Sequence, residues 1–253
     1  MSDLVLSLAP SFWATQRPAD LIAFARSWDR ADVALLLEDP DASDDLGPWL
    51  WDPSTAIGAL IAVTQHLRLI LPVAPAYTDP VTAARRVGSL DNLSGGRIGW
   101  VLDLATSPER DRKTRAVSHA IGSGNPLGRA RELVEASRAI WDSWAPEAFR
   151  ADKAANILVD ESLVREVDFK GVHFHVQTTS NLRRPPQGNP PLYISPRNAG
   201  EERLAVEIAD IVLATDPVAD AGHAVAQTIT PIRISSAADL ARLSPRFGES
   251  HVA

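Results

Sequence analysis

The stretch that most constrains the fold runs from Thr78 to Trp100 and reads TDPVTAARRVGSLDNLSGGRIGW. Asp79 offers a side-chain acceptor to the free amides of a helix start, and Pro80 behind it has the φ that a first helical residue needs. Ala83, Val87 and Leu90 recur at helical spacing, and Ser94-Gly95-Gly96 supplies left-handed residues where the helix must stop. Ile98 to Leu102 then reads as a buried strand. Helix, glycine stop and strand form the repeating step of a parallel α/β sheet or barrel.

The step recurs upstream. Val5 to Leu8 is a short first strand ended by Pro10, and Leu21, Phe24, Ala25 and Trp28 line one face of a following helix. Asp32 to Leu37 is a near-continuous apolar run, which suits a strand covered on both faces. Asp52-Pro53 repeats the cap-and-proline pairing, Ile57, Leu60, Ile61 and Thr64 keep the helical period, and Leu67 to Val73 supplies a third strand. Alternation at this pitch predicts a TIM-like (β/α)8 barrel rather than a sandwich or a bundle.

Downstream, Asp103 to Gly128 is a long polar loop, Arg129 to Trp144 a helix, and Lys170 to Val176 part of a hairpin. Leu192 to Ser195 and Ile211 to Leu213 read as further strands with a helix over Ala199 to Ile208 between them. Val225 to Ile234 has room for one or two strands before a short helix near Ala237 to Leu243. That tail is too short for a complete seventh and eighth pair. The expectation is one domain over 1–253, abbreviated at its C-terminal side, with insertions about 103–128 and 150–190 and an edge that a homodimer could cover.

Composition removes several functions. Lys plus Arg total 25 against 32 Asp plus Glu, a net charge of −7 with the basic residues scattered, so nothing invites nucleic acid. Cysteine is absent, which excludes disulfides and thiolate metal sites. The start MSDLVLSLAP lacks a basic leader and the apolar runs are short, so a soluble cytoplasmic protein with no membrane contact is expected. There is no G-x-S-x-G elbow, P-loop or Rossmann G-x-G-x-x-G, which leaves hydrolase and kinase readings unsupported.

Asp91-Asn92-Leu93-Ser94-Gly95-Gly96-Arg97 followed by Gly99-Trp100 resembles the LDHLSGGR-GWN signature of bacterial-luciferase-like flavin-dependent monooxygenases, in the nitrilotriacetate, alkanesulfonate and dibenzothiophene-sulfone branch. Asp52-Pro53 through Thr64, Glu132 with Glu135 and Ala139 to Trp144, and Arg184 to Pro191 are similar to further blocks of that family. The resemblance implies a barrel that binds reduced FMN from a separate flavin reductase, lets it react with oxygen, and oxygenates a small-molecule substrate. Related barrels use a deazaflavin instead.

Many positions that the resemblance assigns to flavin contact are changed. The family's polar strand ends become Pro72, Ala74, Val101 and Asp103-Leu104-Ala105, and its Arg-Tyr pair becomes Pro126-Leu127. This leaves room for two rivals: a barrel without catalysis that carries a flavin or another ligand, and a partner subunit of an active relative. The surviving cofactor candidates are Ser195, Arg197, Asn198, Gly200 and Ala74, because amides at a helix start attract phosphate and Arg197 adds a bidentate donor. Asn198 three residues before Glu201 is equally a capping-box spacing, which would satisfy the helix itself. Asp39, Tyr77 and Asp103 are the candidates for proton chemistry, each weighed against a capping or packing role. His173 and His175 could share a strand face, but no third ligand accompanies them, so no metal site is expected.

Overall fold

The computed structural model describes residues 4–14, 16–39, 51–105, 125–214 and 227–247. Strand β1 (Leu4–Leu8) is followed by the short helix α1 (Pro10–Trp13) and by α2 (Pro18–Ser27). Then come β2 (Val33–Leu37), α3 (Pro53–Ile61), β3 (Arg68–Val73), α4 (Pro80–Ser94) and β4 (Ile98–Leu102). The expected start and stop chemistry of α4 is present: Asp79 Oδ1 accepts from the Thr82 amide at 2.9 Å, and Gly95 closes the helix at φ 69°.

Helix α5 (Pro126–Asp142) begins three residues before Arg129, because Pro126 takes the first helical position and Asn125 caps it through the Leu127 amide. The insertion after it holds two antiparallel ribbons, β5 (Phe149–Asp152) with β6 (Ile157–Val159) and β7 (Val167–Lys170) with β8 (His175–Thr178), where the sequence suggested a single hairpin. The chain then returns through β9 (Leu192–Ile194), α6 (Ala199–Ile208), β10 (Ile211–Leu213), β11 (Gln227–Ile229), β12 (Ile232–Ile234) and α7 (Ala237–Phe247). Most of the long polar loop read over Asp103 to Gly128, residues 106–124, lies outside the described residues, as do residues 40–50.

The main sheet has eight strand segments in the order β11-β10-β9-β4-β3-β2-β1-β12, every neighbouring pair parallel. Its two ends are consecutive in the chain, since only Thr230 and Pro231 separate β11 from β12. One extended run therefore pairs with β10 through its first half and with β1 through its second, and the sheet returns to its own first strand. Pro231 sits between the two ladders, where its missing N–H removes no sheet hydrogen bond.

Alternation divides the strand residues between two cores. Val5, Ala34, Leu36, Ile70, Val101, Tyr193, Ile211, Leu213 and Ile229 pack together inside the curled sheet. Leu6, Leu35, Leu69, Trp100 and Ile194 face outward into the layer covered by the helices. The result is an α/β fold of the TIM-barrel kind, whose strand C-terminal ends share one rim. Among the described residues no helix is long and apolar enough to cross a membrane.

Candidate active site

A cavity of about 590 Å³ opens at that rim. Its lower wall is apolar, from Leu36, Pro72, Val101 and Leu213, and its upper wall carries Ser7, Glu38, Asp39, Asp103, Ser195, Arg197 and Arg233. Most of these residues arrive there for the same reason, since inward-facing positions near a strand's C-terminal end converge on the rim. Four of the sequence candidates, Asp39, Asp103, Ser195 and Arg197, thus meet in one space.

A second cavity of about 300 Å³ lies beside the first, and Asp39 and Pro72 line both. Ala74 and Tyr77 belong to this second space, together with Trp51 and Arg86. The loop carrying them is held from two sides: the Tyr77 amide donates to Ala74 O at 3.0 Å, and Arg129 Nε donates to Pro75 O at 2.8 Å. Asn198 and Gly200 line neither cavity; they build the start of α6.

That helix start is satisfied from within. Asn198 Oδ1 accepts from the Gly200 amide at 3.0 Å and the Glu201 amide at 3.1 Å, while Asn198 Nδ2 donates to Glu201 Oε1 at 3.0 Å. The Glu201 carboxylate, only 7% exposed, takes the Arg197 amide at 2.9 Å and the guanidinium at 3.2 and 2.9 Å. Burial pulls this carboxyl upward, but the Arg197 and Asn198 donors prevail and hold it below the usual glutamate value. Both Glu201 and nearby Asp103 raise Arg197 in turn. Nε and Nη2 of Arg197 are engaged, and among the described residues its Nη1 edge has no hydrogen-bond partner.

The sequence did not single out the opposite wall. Ser7 Oγ donates to Glu38 Oε1 at 2.7 Å, and Arg233 binds both Glu38 oxygens at 2.8 Å, so β1, β2 and β12 are pinned together at the rim. Arg233 could have been found from alternation alone. Gln227, Ile229, Pro231 and Arg233 are every second residue of the closing run, and the register puts Gln227 and Ile229 level with the inward Ile211 and Leu213, and Arg233 level with Ser7.

His175 stands exposed on β8, 3.8 Å from Asp168, and no group of three metal-ligating side chains occurs among the described residues. Trp100 is fully buried, with Nε1 donating to Pro190 O at 3.0 Å, and Trp141 and Trp144 likewise donate to the Ala84 and Ser180 carbonyls.

Known proteins match this chain over most of its described length. It is 34% identical over 188 residues to one of the subunits of the pristinamycin IIA synthase of Streptomyces pristinaespiralis, covering 74% of this chain and 58% of that protein. It is 31% identical over 170 residues to the dibenzothiophene-sulfone monooxygenase of Rhodococcus erythropolis, covering 66% of this chain and 36% of that one. The matched stretch therefore spans between about a third and three fifths of these relatives. The fold superposes on DmoA from Hyphomicrobium sulfonivorans with a TM-score of 0.73 at 19% identity, over 85% of this chain and 52% of that one. The family model for luciferase-like monooxygenases matches residues 13–243, which takes in the LDNLSGGR segment, the side cavity, most of the rim cavity's lining and the closing run, and the chain belongs to that family.

Proposed function

We propose that the chain is a flavin-dependent oxidoreductase of the monooxygenase type, which holds reduced FMN at the rim and oxygenates a small molecule. The observation that carries this reading is the shape of the 590 Å³ cavity: an apolar bed at the strand C-terminal ends, walled by polar groups on one side. Leu36, Pro72, Val101 and Leu213 fit a flat ring system and would keep water from its face. Ser195 and the open Nη1 edge of Arg197 would take an anionic group. Asn198 and Gly200 would act indirectly, because their polar groups already hold Glu201 and Glu201 holds Arg197.

Bound reduced FMN would supply the electrons that activate oxygen, with a separate flavin reductase as the partner that renews it. Asp39, lining both cavities, and Tyr77, in the neighbouring one, would hold or move a proton on the substrate. Asp103 faces the same cavity; its Oδ1 accepts from the Ala105 amide at 3.0 Å and its charge supports Arg197. Ala74 would meet the ligand from the side cavity.

A second reading, a barrel without catalysis that serves as a ligand carrier or partner subunit, draws support from the apolar Pro72, Ala74 and Val101 at positions where the family resemblance calls for polar groups. The pristinamycin relative is itself named as a subunit. Anaerobic titration with reduced FMN tests the cofactor that the first reading requires, and oxygen uptake by the loaded chain separates an enzyme from a flavin carrier. The expected result is weak binding that Arg197→Ala weakens about tenfold further, the loss of one charge-assisted contact. No affinity for reduced FMN overturns the flavin assignment, and binding of a reduced deazaflavin in its place changes the cofactor.

A further inference from the structure

We infer that the 300 Å³ side cavity is a binding subsite for a small aromatic molecule carrying an anionic group, with Arg86 as the residue that selects the charge. The inference rests on the reading above only in taking the larger cavity for the cofactor, which makes its neighbour the substrate's place.

The side cavity has three properties of a built pocket. Its volume is at the lower end of the ~300–1,000 Å³ common for small-ligand sites, which limits an occupant to about one ring. Leu71, Val73 and Ala83 give it apolar walls, and Trp51 and Tyr77 offer ring surfaces for stacking. It is also a neighbour of the larger cavity, since Asp39 and Pro72 line both, with Leu71 and Val73 reaching this space from the helix-covered face of β3.

Charge decides what kind of molecule enters. Asp52 also lines the space, but its Oδ1 already accepts from the Thr55 amide at 3.1 Å and from the Ser54 hydroxyl, so it serves the start of α3. Asp39 lines this space and the rim cavity alike. Arg86 projects from α4 and, among the described residues, forms no ion pair or hydrogen bond. The other arginines of the two cavities differ: Arg197 is backed by Glu201 and Arg233 by Glu38. A guanidinium without a partner beside aromatic side chains suits a carboxylate, sulfonate or phosphate attached to a ring.

Calorimetric titration of the whole chain with benzoate, benzyl alcohol and benzylammonium tests this directly, first without flavin and then with reduced FMN at saturation. Benzoate is expected to bind at least tenfold more tightly than benzyl alcohol, and Arg86→Gln is expected to erase that difference while leaving the unfolding midpoint unchanged, because Arg86 is exposed. Trp51→Ala should weaken benzoate and benzyl alcohol together. Equal binding of benzoate and benzyl alcohol, a preference for benzylammonium, or an unaltered benzoate affinity in Arg86→Gln each overturns the assignment. If Arg86→Gln weakens FMN itself and FMN excludes benzoate, the anion at Arg86 is the cofactor's phosphate and the substrate subsite is overturned. The benzoate series without flavin reads the subsite even if FMN does not bind, so the two failures remain distinct.

Discussion

Arg97 contacts no ligand cavity, yet it is among the most heavily bonded side chains in the molecule. Its guanidinium donates to Ser94 O, Leu67 O, Ile61 O, Thr64 O and Thr64 Oγ1 at 2.8 to 3.3 Å, joining the last turns of α3 and α4. Asp91 is fully buried nearby and accepts from the Gln187 amide, from Gln187 Nε2 and from the Ile98 amide. Burial outweighs these donors and raises its carboxyl. Both residues precede β4, at the end of the sheet opposite the rim. The segment that carries the family resemblance is therefore structural, and it recognises the fold without touching the chemistry. Arg97→Leu should lower stability by about 3 kcal/mol, because several buried carbonyls lose a charged donor at once. Urea unfolding measures this, and the unfolding slope should be unchanged. The sequence contained this segment in full; what it did not contain was the location of its partners, such as Gln187, far along the chain.

At the level of elements, a helix carboxylate helps tie the insertion to the barrel. Glu132 on α5 accepts from the Val172, His173 and Phe174 amides at 2.9, 2.7 and 3.0 Å, and Arg129 one turn earlier stacks on the Phe174 ring at 4.2 Å. Through Arg129 and Pro75 O the same turn steadies the loop that bears Ala74 and Tyr77. Burial works to raise the Glu132 carboxyl, but the three amides prevail and hold it below the usual glutamate value. A carboxyl lowered on folding stabilises the native state above its unfolded value, and that contribution disappears as pH falls through the lower folded value. Hydrogen exchange at residues 172–174, taken relative to its intrinsic rate at each pH, should accordingly quicken below pH ~4.3 in the native chain. In Glu132→Gln it should already be fast at neutral pH, with a stability loss of about 2 kcal/mol. Sequence spacing located the helix and part of the hairpin. It could not show that a helix side chain would cap a turn some forty residues away.

For the whole molecule, the decisive contact is the return of the sheet to β1. Residues 227–234 pair on both sides, and the Arg233–Glu38–Ser7 cluster fastens the second half across β1 to β2. Removing the chain from residue 227 onward would expose the edges of β1 and β10 together, and unpaired parallel strands are templates for association. The shortened chain is expected to lose cooperative thermal unfolding and to form large species in size-exclusion chromatography. A monodisperse, cooperatively unfolding product would mean that the sheet does not depend on this run.

Local order came from the sequence alone, as did membership in an α/β class: the Asp-Pro helix starts, the Gly95-Gly96 stop, the apolar strands and the family segment rely on interactions within a few residues. Tertiary structure alone decided which side chains share a cavity. It occupied the start of α6 with Glu201, brought Asp39 to the border of two cavities, and gathered Arg233 and Arg197 into one rim cavity. The physical reason is the parallel crossover, which brings strand ends from distant parts of the chain to a single rim, so the site depends on register and closure, which no local pattern encodes.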